Sequence, residues 1–223
     1  MKTVLTRTKD TYVANHPCVS NLNFSFGSSA ELAAQIVNGS PADVFIAASE
    51  STKDQVVTAG LAVGEPVRIA RNKMAILMYA QSPFVGAVQK LSDLQDVVHP
   101  DIKVGVCVST APCGAILPAL LESDELTVAD IADTEAASVA DLVTKVQLGE
   151  LDAGIVFGSD CATARTNKTA VCVDIVQDIP NPVTTPIYAV ALNAQPNTSS
   201  WMANISSAAT KSLLQKSYGF LAP

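Results

Sequence analysis

The sequence predicts an α/β fold, on three observations. Short apolar runs alternate with segments of helical period, the spacing suits βαβ units, and a layout of strand, tight turn and helix start recurs along the chain. The runs read as strands at Asn21 to Phe26, Ala42 to Ala47, Lys73 to Tyr79, Lys103 to Val108, Ala153 to Phe157, Ala170 to Ile175 and Ile187 to Leu192. With helices between most of them, the sheets are expected to be mostly parallel and flanked by helices. No internal repeat or low-complexity tract interrupts the pattern.

The helix starts are the most specific local signals. In Gly27-Ser28-Ser29-Ala30-Glu31-Leu32, Ser28 can cap a helix while Glu31 reaches back to it; Leu32 and Ile36 supply an apolar stripe, and Gly39 ends the helix. At Ser138-Val139-Ala140-Asp141 the layout repeats, with Val139, Leu142, Val143 and Val146 on one face and Gly149 closing. Pro112-Cys113-Gly114 opens a third, just after the strand that ends at Val108. In parallel α/β sheets such turns lie at the carboxyl edge of the strands, where ligands bind.

Composition narrows the partners. The chain has 223 residues, 48% of them hydrophobic and 16% charged, with a net charge of −7. That length fits one large or two small domains with a substantial core. The acidic balance excludes nucleic acid and anionic membrane as partners, since it offers nothing to neutralise them. No apolar stretch approaches the roughly 18 residues of a membrane-spanning helix, and Met1-Lys2-Thr3 is not followed by the apolar segment of a signal peptide. Cys18, Cys107, Cys113, Cys161 and Cys172 fall as two close pairs and a single, compatible with two disulfides or with free thiols. Metal ligation is disfavoured, with only His16 and His99 available and no Cys-x-x-Cys spacing. Asn23, Asn167, Asn197 and Asn204 begin glycosylation sequons of the kind that chance produces in a chain rich in Ser and Thr.

The chemistry open to such turns is anion binding. A helix N-terminus presents several N–H groups without internal partners and about half a positive charge from the macrodipole. Serine hydroxyls add donors without formal charge. Catalytic constellations are weaker: there is no Gly-x-Ser-x-Gly elbow, no phosphate-binding glycine loop and no dinucleotide fingerprint. Asp43, Asp152 and Asp160 occur singly beside strand ends, where turn and capping roles are the default. A Cys113 nucleophile defines the enzyme alternative, with Cys107 as a competing disulfide partner.

The stretch Phe24 to Ile36, followed by Gly39-Ser40-Pro41-Ala42-Asp43-Val44-Phe45-Ile46-Ala47-Ala48, resembles the periplasmic molybdate-binding proteins of ABC importers. The resemblance continues through Val106-Cys107, Pro112-Cys113-Gly114, Val139 to Gly149, Asp152 to Phe157 and Tyr218-Gly219-Phe220. It implies a two-lobed type II periplasmic-binding-protein fold with a ligand cleft between the lobes. The first lobe would comprise residues 1–70 plus 188–223 and the second 71–187, with crossovers near Ala70 to Tyr79 and Asn181 to Tyr188. The implied ligand is molybdate or tungstate, with no cofactor and no metal held directly by side chains. The implied partner is an ABC transporter permease, and the receptor is expected to be a monomer at the periplasmic or extracellular face of the membrane.

Carried over position by position, the family's contacts fall on Ser29 (hydroxyl and N–H, with Ser28 beside it as cap), the N–H of Cys113, the N–H of Val139, and Phe157. The Cys107 and Cys113 pair resembles an actinobacterial variant in which the two bond across the ligand-carrying turn. Two departures are visible. Phe157 stands where the family has a ligating tyrosine, so one hydroxyl is lost. The family's first strand and an Ala-Ser-Leu turn are expected ahead of the helix containing Val4, Leu5 and Tyr12, which places a further ligand serine and any signal segment upstream of Met1. A receptor for another tetrahedral oxyanion, or one weakened by these departures, is the alternative within the binding class.

Overall fold

A computed structural model describes residues 2–19, 21–164, 168–177 and 182–223. The Asn167 sequon and Asn181, where the second crossover is expected to begin, lie outside the described residues. The chain divides into two compact units, Met1–Arg71 with Thr185–Pro223 and Asn72–Thr184.

The first unit is built on a three-stranded sheet in the order β1-β8-β2, with β1 Val44–Ala47, β8 Thr185–Ala191 and β2 Val67–Asn72. Its helices are α1 Lys2–Asn15, α2 Ser29–Val37, α3 Glu50–Thr58, α8 Pro196–Ile205 and α9 Ala208–Tyr218. Alternation along β8 sorts its residues between two cores. Ile187 and Ala189 join Val4, Leu5, Tyr12, Trp201 and Leu214 on the α1 side. Tyr188 and Val190 face the other way, with Ala33 of α2 and Val56 of α3.

The second unit holds a five-stranded sheet in the order β5-β4-β6-β3-β7: β3 Met74–Tyr79, β4 Val104–Cys107, β5 Thr134–Ala136, β6 Ala153–Phe157 and β7 Ala170–Asp174. Its helices are α4 Pro112–Ala115, α5 Leu117–Glu122, α6 Val139–Leu148 and α7 Gly158–Ala164. One continuous core fills it, with Ile76, Leu77, Val104, Leu120, Leu142 and Val146 fully buried. Two disulfides, Cys107–Cys113 and Cys161–Cys172, tie helices to strands, while Cys18 is free and exposed.

Two expectations are corrected. The sheets are mixed, not mostly parallel. β4 pairs in parallel with β5 and β6, but β3 runs antiparallel to both β6 and β7, and β1 antiparallel to β8. Parallel neighbours need a crossover of a dozen or more residues. Lys73 alone separates β2 from β3, and β1 and β8 come from opposite ends of the chain, so neither β3 nor β8 is set by a βαβ crossover. Secondly, Asn21 to Phe26 forms no strand. Its alternation is real, since Leu22 and Phe24 lie on the α1-side core, but the segment has no ladder partner among the described residues. Conversely, β2 and β5 escape the apolar pattern because Arg68 and Arg71 break the one and the other is the three residues Thr-Glu-Ala.

Candidate functional site

In the first unit the predicted α2 start has the expected construction. Ser28 Oγ accepts from the Glu31 N–H at 3.2 Å, and the Ser28 N–H donates to Glu31 Oε2 at 3.2 Å, so cap and third helical residue satisfy each other. Ser29 is left for another task. It is buried, and its Oγ accepts from the Ala48 N–H at 3.0 Å, which brings the end of β1 to the start of α2. With its acceptor side occupied, the Ser29 hydroxyl has a proton to donate, and no acceptor takes it among the described residues.

Ala48 also precedes a second helix start that sequence reasoning passed over. Ser49 caps α3, accepting from the Thr52 N–H at 3.3 Å. The signal was available in Ser49-Glu50-Ser51-Thr52, a capping serine followed by an acidic first turn. Glu50 is held below its ordinary pKa by hydrogen bonds from Lys53 and from Tyr188, whose hydroxyl donates at 2.6 Å. The negative charge on this turn is therefore matched locally by the Lys53 ammonium.

In the second unit three predicted positions share one sheet edge. β5, β4 and β6 are neighbours running the same way, with Cys107 opposite Ala136. The helix α4 follows β4, α6 follows β5 and α7 follows β6, so Cys113, Val139 and Phe157 all lie towards the carboxyl ends of these strands. Pro112 occupies the first turn of α4 and Ser138 caps α6 by accepting from the Asp141 N–H at 3.2 Å. The N–H groups of Cys113 and Val139 have no acceptor among the described residues. The α4 turn is pressed tightly onto β4: a Cβ at Gly114 would sit 2.1 Å from the Val108 carbonyl oxygen and 2.4 Å from that of Cys107.

Acidic side chains stand in the first turns of α2, α3, α6 and α7, namely Glu31, Glu50, Asp141 and Asp160, and Lys53, a cation at the α3 start, is paired with Glu50. Burial pushes the Asp160 carboxyl up to about 6. Donors of this kind, neutral hydroxyls and backbone N–H groups, suit a small, fully ionised oxyanion. The sites weighed for other chemistry are accounted for structurally. Cys113 is 2% exposed and its sulfur is bonded to Cys107, which removes the nucleophile of the enzyme alternative. His16 Nδ1 meets the Tyr12 carbonyl oxygen at 2.8 Å, and His99 lies against Phe84. Among the described residues no three His, Cys, Asp or Glu side chains gather as metal ligands, and no helix is long and apolar enough to cross a membrane.

Two α/β units joined by two chain crossings are the architecture of the type II periplasmic binding-protein fold. The chain belongs to the bacterial extracellular solute-binding protein family, whose model matches residues 1–221. It is 31% identical, over all of its own length and 82% of theirs, to the molybdate-binding proteins ModA of Mycobacterium tuberculosis and Mycobacterium bovis. Among solved structures, the periplasmic molybdate-binding protein of Azotobacter vinelandii superimposes with a TM-score of 0.73 at 21% identity, covering 99% of this chain and 95% of that one. Peb3 of Campylobacter jejuni matches with a TM-score of 0.76 at 16% identity, covering 100% and 96%. At these identities the two structures establish the shared fold.

Proposed function

We propose that this protein is an extracytoplasmic receptor that captures molybdate or tungstate and delivers it to the permease of an ABC importer, and that it performs no catalysis. The observation that supports the reading is made in each unit by itself: the first has a buried Ser29 hydroxyl with an uncommitted proton, and the second has unpaired N–H groups at Cys113 and Val139. The relatives named for molybdate share 31% of their aligned residues with this chain, which favours this oxyanion over others. In this reading Ser29 contributes its hydroxyl and N–H, Cys113 and Val139 contribute N–H groups, Ser28 holds the α2 start in shape, and Phe157 contributes only apolar surface where a tyrosine would donate.

A donor-only site also selects by protonation state. Hydrogen phosphate carries a proton that needs an acceptor, and the donors of this reading, the Ser29 hydroxyl and the N–H groups of Cys113 and Val139, do not supply one, whereas molybdate and tungstate are unprotonated at neutral pH. Calorimetric titration with molybdate, tungstate, sulfate and phosphate tests the proposal. Heat is expected from the first two; silence from both sinks it. Ser29→Ala removes a donor and strands the Ala48 N–H, and is expected to weaken molybdate binding by about ten- to a hundredfold.

A further inference from the structure

Phe157 leaves the donor set one hydroxyl short, yet a hydroxyl reappears two residues further on. Ser159, the second residue of α7, is 8% exposed, and its Oγ accepts a hydrogen bond of 3.0 Å from Nδ2 of Asn72, itself 5% exposed. The β3–β6 ladder explains why they meet. Met74 lies opposite Phe157, the Gly158 N–H donates to the Lys73 carbonyl oxygen at 2.7 Å, and the next step of the antiparallel register brings Asn72 to Ser159. Because β3 runs against β6, the amino end of β3 lies at the carboxyl edge of β6, on the side of the sheet where the α4 and α6 starts carry Cys113 and Val139.

Both side chains are left with unused capacity there. The Ser159 oxygen is occupied as an acceptor, so its proton must be given elsewhere, and no acceptor takes it among the described residues. Oδ1 of Asn72 is buried without any partner, a condition shared among the described residues only by Thr185 Oγ1. Buried polar atoms in native proteins are rarely left so, and an orphan beside a ligand-binding edge points to a ligand or an ordered water that completes it.

We propose that Ser159 is a contact residue of the oxyanion site, its hydroxyl donating to the anion in place of the phenol that Phe157 lacks, and that Asn72 is its positioning residue. The inference rests on the oxyanion-receptor reading above. In it, the Asn72 carboxamide N–H fixes the Ser159 oxygen as an acceptor and so turns the hydroxyl proton outwards, while the free Asn72 oxygen holds an ordered water.

The test is a double-mutant cycle read by calorimetry with molybdate, with melting temperatures measured alongside. Ser159→Ala is expected to weaken binding about tenfold, the loss of one hydrogen bond to a charged acceptor. Ser159→Thr, which keeps a hydroxyl, is expected to lose less affinity than Ser159→Ala. Phe157→Tyr placed in the Ser159→Ala background is expected to restore most of the lost affinity, because the two hydroxyls serve one anion. A purely structural role for Ser159 would lower the melting temperature without that rescue, and so would overturn the proposal, as would unchanged affinity in Ser159→Ala. Should the alanine variant not fold, Ser159→Cys carries the same comparison, with weaker binding in support and equal binding against. Failure of the receptor reading is distinguishable, since the parent protein itself would then be silent to both molybdate and tungstate, and the present inference would fall with it.

Discussion

The unit built from the two ends of the chain and the unit built from its middle hold their helix starts in different ways. In the first unit the work falls to side chains: Ser28 and Glu31 cap one another, Ser29 reaches the Ala48 N–H, and Ser49 caps α3. Its three-stranded sheet separates two cores, and among the described residues it contains no disulfide. In the second unit Ser138 caps α6, but the α4 turn is held by backbone closeness and a covalent bond around a single core, with Gly114 against two carbonyl oxygens and the Cys107–Cys113 bond closing it. The first unit is therefore expected to tolerate loss of single hydrogen bonds, whereas the second depends on close packing.

The largest expected effect is Gly114→Ala. No side chain can move aside from a Cβ that would stand 2.1 Å from a backbone oxygen. The turn must be displaced, at a cost of about 4 kcal/mol or more, as in severe overpacking. Denaturant unfolding of the variant checks this, and a stability loss below about 1 kcal/mol, the centre of the range for ordinary point substitutions, would show the second unit to be as forgiving as the first.

Asp160 gives an intermediate effect with a definite sign. Its folded pKa of about 6 is raised above the unfolded value by burial. The folded state therefore holds the proton more tightly than the unfolded one, and this contribution is fully present below the unfolded pKa. It is lost as pH rises through the folded value, between about 4 and 6. Asp160→Asn is expected to abolish that pH dependence and to exceed the parent in stability at pH 8 by at most about 3 kcal/mol. Parallel melting curves across this range check it; identical pH profiles would remove Asp160 from the account.

The smallest effect belongs to the first unit. Ser28→Ala removes the acceptor for the Glu31 N–H and is expected to cost about 1 kcal/mol, as for other N-caps. Circular dichroism melts measure the loss, and molybdate titration is expected to show a much smaller change in affinity than Ser29→Ala does. Equal losses from the two serines would dissolve the distinction between capping and ligand contact.

Much of this architecture is legible in the amino-acid order alone. The capping box at Ser28, the cap at Ser138, the α6 stripe and the two cysteine pairs are short-range features, set by the chemistry of residues three to eleven positions apart. Strand direction is not legible in that way, because parallel or antiparallel pairing depends on which distant segment arrives beside a strand. The Asn21 to Phe26 segment shows the same limit: alternation announces a buried face, but a strand also needs a neighbour to bond.

Local chemistry is enough to set the α/β class, the helix starts and the kind of donor each offers, because caps, glycine ends and apolar stripes act within a few residues of one another. Contacts between distant segments are what place Cys113, Val139 and Phe157 on one sheet edge, anchor the Ser29 hydroxyl at Ala48, and bring Asn72 to Ser159 across 87 residues. Those relations come from strand order and register, and register is an agreement between segments that no single segment contains.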